Sequence, residues 1–211
     1  AKARLLALYV LEGSNSLTPQ IVKQALKDPA PGVRENALML AERYPECLPQ
    51  VIEKADDPSA GVVLQASLSL GEFSGKGVAT ALAKIIGKYG GDKFIRSAVL
   101  SSNIGSSAEL LKELSQGSFF QKEEPWKISF LTDLSYVIGA RNKKEQVGSY
   151  LSLLSGSVTG DNWQSAAVSG LKAGLSKAAK PGDQLTEIVK NIKTNSAGDT
   201  KEAISNLKKL Y

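Results

Sequence analysis

"GEFSGKG", residues 71–77, is the stretch of this chain that comes nearest to a phosphate-binding loop. Such a loop needs four residues between its glycines, so that backbone N–H groups wrap the phosphates, then Lys and a hydroxyl for phosphate and Mg²⁺. Here three residues separate Gly71 from Gly75, and Gly77 stands where the hydroxyl would be. The stretch also follows a helical pattern instead of a buried strand, so it reads as a helix end and an inter-helix loop. Two carboxylate pairs, Asp56–Asp57 and Glu123–Glu124, come next. Acid–base catalysis needs two carboxylates in different environments facing one substrate. Neighbours in turn sequences are expected simply to be solvated. Cys47 is the only cysteine, so it makes no internal disulfide, and no local base holds it as a thiolate.

The chain contains no histidine. That excludes His-dependent triads, His–Cys dyads, His-ligated zinc and His-ligated haem within these residues. Its 211 residues are 42% hydrophobic and 22% charged, ordinary for a globular protein. No apolar run approaches the roughly 20 residues that span a bilayer, so membrane insertion is not expected. The net charge is +5, and residues 171–211 hold eight lysines against four acids, with no arginine. Nucleic-acid binding needs several phosphate contacts in one footprint, and no lysine block or aromatic-interleaved basic stripe supplies them. A solvated helical face is the reading, and nucleic acid is not an expected partner.

The elements that would position any site are helical. In 33–44 the apolar residues Val33, Ala37, Leu40, Ala41 and Tyr44 recur at helical spacing, after a turn opened by Asp28-Pro29. The phrase returns after Asp57-Pro58 as Val63, Ala66, Leu70 and Phe73. It recurs with drift in 92–104, 125–140, 162–178 and 198–211. Taking Val33, Val62, Ile95, Trp126, Trp163 and Thr200 as equivalent, the steps are 29, 33, 31, 37 and 37 residues. Between these lie short helices over 18–26, 48–55, 78–89, 108–116, 144–154 and 185–192. Thr18 and Pro19 give the first of them a strong start signal.

The unit is therefore a helix pair, repeated about six times. One pair cannot bury its own stripe, whereas stacked neighbours build a continuous core. The expected architecture is all-α: a single α-solenoid over 1–211, regular in 1–116 and more divergent in 125–211. Residues 3–13 look like the second helix of a pair whose first helix is missing. With the start at Ala1, this leads us to expect a piece of a longer protein.

The pair length, the Asp-Pro turn and the Val33-Arg34 opening of the second helix resemble HEAT repeats. Asp28, Arg34 and Arg96 fit the positions of that family's Asp–Arg ladder, which Val63 interrupts. "ARLLALYVLEG", "DPAPGVRENALMLAE", "VVLQASLSLGEF" and "IRSAVLSS" are similar to a more specific group. They resemble the HEAT segment of large exported proteins of Bacteroidetes and planctomycete-type lineages. In that group a dehydrogenase-like β-propeller precedes the repeats, and a cytochrome c domain with a CxxCH motif follows them. The resemblance implies a non-catalytic scaffold in a periplasmic or exported redox protein, with haem c outside this chain and no cofactor within it. Neighbouring domains or a separate protein would be the partner.

Two other readings stand beside it. One is a freestanding cytoplasmic HEAT adaptor. The other, a HEAT-like DNA glycosylase, needs a basic groove that Arg34 and Arg96 alone do not make. For contact with a partner, the expected residues are Arg34, Gln65 and Arg96 on the second helices. The long 115–125 connection and its surroundings add Phe119, Phe120, Trp126 and Trp163. The two tryptophans open corresponding helices, where plugging an inter-repeat seam is the expected role and an exposed anchor for a partner is the alternative.

Overall fold

The computed structural model describes residues 1–102, 107–158, 160–178 and 197–209. Among them the chain is all-helical, with twelve α-helices, four short 3-10 turns and no strand. It divides into two compact units, Ala1–Ile104 and Gly105–Tyr211. The helix expected over 185–192 lies outside the described residues.

The first unit contains α1 (Lys2–Gly13), α2 (Pro19–Ala25), α3 (Pro31–Ala41), α4 (Leu48–Glu53), α5 (Ala60–Ser69), α6 (Val78–Tyr89) and α7 (Lys93–Ser102). Local chemistry sets their ends. The Thr18 hydroxyl accepts the Ile21 N–H at 3.4 Å, capping α2, and Pro19 takes a first-turn position with no N–H to satisfy. α3 stops before the apolar pattern does, because Pro45 disfavours helical backbone at Tyr44. α5 tightens into a 3-10 turn at Leu70–Glu72. Gly77, in the would-be phosphate loop, takes φ +95° as the residue before α6. A left-handed φ is what glycine accepts without strain, so its role here is to start a helix.

Packing within the unit follows the repeat. α1, α3, α5 and α7 touch in succession, while α2, α4 and α6 fit against that row from beside it. Two sets of contacts give the row its direction. At the N-terminal ends, Arg4 reaches Asp28 before α3 and Arg34 reaches Asp57 before α5. At the other ends, Arg43 reaches Glu12 and the Ser69 hydroxyl donates to Glu42. Start meets start and end meets end, so α1, α3 and α5 run parallel. Of the stripe that periodicity marked, Val33, Ala37, Leu40 and Ala41 in α3, Val63 and Ala66 in α5, and Leu70 and Phe73 just beyond it belong to the core, whereas Tyr44 is half-buried.

The second unit contains α8 (Ser107–Gln116), α9 (Pro125–Arg141), α10 (Lys144–Ser157), α11 (Asp161–Leu175) and α12 (Ala197–Lys208). α8 packs on α10, and α12 touches both α10 and α11. Among the described residues, α9 and α11 are the most closely applied pair of helices. Glycines permit this. A Cβ on Gly174 would lie 2.7 Å from the Ala140 nitrogen and against the Tyr136 carbonyl, and one on Gly139 would lie 2.8 Å from the Leu175 nitrogen. Gly170 likewise sits against the Thr132 carbonyl. Backbone meets backbone here, as at small-residue helix crossings generally.

Candidate interaction surface

The residues with chemistry to offer are mostly engaged inside the chain. Arg34 donates to both oxygens of Asp57 at 2.8 and 2.6 Å, and to the carbonyls of Asp28 and Pro29 at 2.8 and 3.2 Å. Asp57 also accepts the Ser59 N–H at 3.0 Å. Burial pushes the Asp57 carboxyl up, but the hydrogen bonds from Arg34 and Ser59 outweigh it and leave the pKa below the usual value. One repeat earlier, Arg4 grips Asp28 at 2.6 and 2.9 Å. That grip, with the Ala30 N–H, lowers the Asp28 carboxyl to about 2. So Asp57, expected to be a solvated turn residue, is buried, and Arg34, expected to face a partner, is turned inward because its charge requires that carboxylate.

The next rung shows what a missing pair looks like. Arg96 donates to the carbonyls of Gly90 and Gly91 at 2.7 and 3.1 Å, six and five residues back, as Arg34 does to Asp28 and Pro29. Gly90 therefore stands where the earlier repeats place their aspartate. Val63, buried, stands where α1 and α3 place arginine. Both halves of the rung are absent together, which avoids a buried charge without a partner. Arg96 is half-buried and anchored to its own turn, and half-buried Gln65 donates to the Ser69 hydroxyl at 3.1 Å.

The 115–125 connection folds back onto the second unit. Phe119, in the 3-10 turn Phe119–Gln121, is the hub of five rings. Its centroid lies 5.0 Å from Phe120, 5.8 Å from Trp126, 6.1 Å from Phe130 and 5.8 Å from Trp163. Phe120 meets Trp163 edge-on at 5.0 Å. These tilted and edge-to-face geometries are the favourable ones for aromatic pairs. The Lys127 ammonium sits 5.5 Å from the Phe119 centroid and 5.6 Å from Trp126, and 3.5 Å from Glu124. The Trp126 indole N–H donates to Glu124 at 2.9 Å, and this bond, with Lys127 beside it, holds that carboxyl below its usual range. Phe119 and Trp163 are buried, whereas Phe120 and Trp126 are half-buried. Phe119 and Trp163 are thus covered by the other rings of the unit, and neither stands out as an exposed anchor.

The remaining candidates do no better as chemistry. Asp56 pairs with Lys84 and Lys88, and Glu123 accepts from Asn162 at 2.9 Å. Burial pushes the Cys47 thiol up, away from thiolate. Among the described residues no cluster of His, Cys, Asp or Glu could hold a metal ion, and no helix is long and apolar enough to cross a membrane.

What the sequence reading missed is a row on the first unit. Tyr9, Met39 and Leu68 hold one repeat position in α1, α3 and α5, five residues beyond Arg4, Arg34 and Val63. They are 40%, 49% and 42% exposed. The Tyr9 hydroxyl donates to Asn36 at 2.6 Å, tying the first rung of the row to the second. Leu6 and Val10 of α1 and Phe94 of α7 are exposed as well. Aligning the helices on the arginine position would have revealed the row. A hydropathy pattern alone hides it, because each helix contributes a single side chain. No family model matches this chain, and no curated protein or solved structure matches it.

Proposed function

We propose that this chain is a non-catalytic helical-repeat scaffold, an α-solenoid of HEAT-like pairs that binds protein through the α1–α3–α5–α7 row of its first unit. One observation carries the reading. Among the described residues of that unit, every large apolar side chain left exposed lies on α1, α3, α5 or α7, and none on α2, α4 or α6. Exposed apolar side chains gathered on one face mark an interaction surface more often than scattered ones do. Arg34, Asp57 and Asp28, by contrast, are engaged with partners inside the unit, as residues that join repeats would be.

Photo-cross-linking tests this. A photoreactive residue at Met39 or Leu68, in host extract, should trap a protein that the same residue at Thr80 on α6 does not trap. Equal trapping at both positions, or none at either, would sink the scaffold reading. A finer version rests on the sequence resemblance alone: that the scaffold joins a propeller to a cytochrome c domain in an exported protein. Covalent haem in the full-length product of the host gene would support it, and its absence would leave an adaptor.

A further inference from the structure

We infer that the occupant of the Tyr9–Met39–Leu68 row is a basic amphipathic α-helix lying across α1, α3 and α5. The inference rests on the scaffold reading above and names the class of partner. Spacing comes first. Packed helices sit about 8–10 Å apart, so successive rungs of the row are separated by about that distance. An α-helix laid across them advances about 10.5 Å in seven residues, so one apolar residue per heptad meets each rung on the same side. A β-strand covers the same distance in about three residues, an odd number, which turns alternate side chains away from the surface. A polyproline helix matches the distance with about three residues per turn, but its docking grooves are lined by aromatic rings. Only Tyr9 of the three rungs is aromatic.

Charge gives the second argument. The C-terminal ends of α1 and α3 carry Glu12 and Glu42 at the same repeat position, and Glu72 follows in the turn after α5. α1, α3 and α5 run parallel, so the negative ends of three helix dipoles collect on the same edge. Arg43 pairs with and balances Glu12 at 2.6 Å, while Glu42 accepts the neutral Ser69 hydroxyl at 2.6 Å, so the edge is ordered and its negative charge rests on Glu42 and Glu72. A helix with apolar heptad residues and lysine or arginine along one flank complements both the row and its edge.

The test uses the whole chain and three labelled peptides of about three heptads. The first has leucine every seventh residue and lysine along one flank. The second replaces lysine by glutamate, and the third is proline-rich with leucine every third residue. In fluorescence anisotropy the lysine peptide should bind tightest, and added salt should weaken it. Met39→Asp and Leu68→Asp should each weaken it at least about tenfold, as loss of a central apolar anchor does. Both sites are exposed, and unchanged far-UV circular dichroism would show that the fold is kept. Glu72→Lys should weaken the lysine peptide and strengthen the glutamate one. Equal or tighter binding of either other peptide, no binding of the lysine peptide, or indifference to Met39→Asp and Leu68→Asp overturns the inference. The scaffold reading fails separately: cross-links from Met39 or Leu68 to a host protein without a basic helix would keep the scaffold and reject this occupant.

Discussion

The two units hold their helices together by opposite means. In the first, an arginine on one helix reaches an aspartate in the turn before the next, twice in succession. In the second, α9 and α11 meet through glycine, and five aromatic rings close the seam beside them. A charged rung sets register by direction and partner, and it tolerates changes in volume nearby. A glycine contact sets register by distance alone, and it tolerates no added atom. The first unit should therefore fail when charge is unbalanced, and the second when volume changes.

Trp163→Ala should have the largest effect. The indole is fully buried, and truncating it leaves a cavity among Phe119, Phe120 and the α9–α11 core. Removal of a buried aromatic costs about 3–5 kcal/mol. Hydrogen exchange should show protection falling in α9 and α11. A cost under about 1 kcal/mol would mean that the rings are surface ornament and that volume does not govern this unit.

Arg34→Ala should come next, because it leaves the buried Asp57 with only the Ser59 N–H and the Lys54 ammonium at 3.9 Å. About a tenth of the Arg34 side chain still meets water, which places the cost at the low end for a broken buried pair, about 3 kcal/mol. The third rung sharpens the point. Val63→Arg alone should destabilise, since Gly90 offers the new charge no carboxylate. Val63→Arg with Gly90→Asp should recover part of the loss, a coupling that a double-mutant cycle measures directly. No coupling would mean that the rungs are incidental to register.

How much of this was legible follows from the same contrast. Helix positions were readable because proline, glycine and period act within a few residues: 78–89 was expected and α6 spans it. The Arg34 rung was only half legible: Asp-Pro recurs at 28–29 and 57–58, but Arg34 was expected to face a partner. The burial of Asp57 was not, since its partner lies 23 residues away and nothing local announces it. In α9 the apolar residues Phe130, Leu131, Leu134, Val137 and Ile138 recur at helical spacing, and all but the half-buried Val137 are buried. Yet the face that meets α11 most closely runs through Thr132, Ser135 and Gly139, which hydropathy counts as neutral. In sequence Phe119 is only an apolar residue of a long connection, and its partner Trp163 lies 44 positions on.

Glycine substitutions should show a smaller effect, with opposite signs at Gly174 and at Gly87. Gly174→Ala forces a Cβ to within 2.7 Å of the Ala140 backbone nitrogen, and the helices must part. Overpacking of this kind costs about 1–3 kcal/mol. Gly87 in α6 has open space around it, so Gly87→Ala should stabilise by about 0.5–1 kcal/mol through helix propensity. Urea midpoints of the two variants would check both. The same sign for both would erase the distinction between a glycine that permits contact and one that merely occupies a helix.

The smallest effect expected separates the two rungs of the first unit from each other. Asp28 and Asp57 both titrate below their usual values when folded, so each binds its proton more readily in the unfolded chain. Their stabilisation is complete above the unfolded value of 3.8 and is lost as pH falls, for Asp28 towards about 2. Arg4 keeps half its side chain in water, whereas Arg34 is enclosed. Salt screens an exposed pair far more than an enclosed one. At low ionic strength, Arg4→Ala should return Asp28 towards its usual value and flatten part of the stability loss between about pH 4 and pH 2. At high salt the same substitution should change little, while Asp57→Asn should still flatten the profile. If salt removes both contributions equally, then Asp57 is as open to solvent as Asp28, and the second rung is not the buried element that distinguishes this unit from the aromatic one.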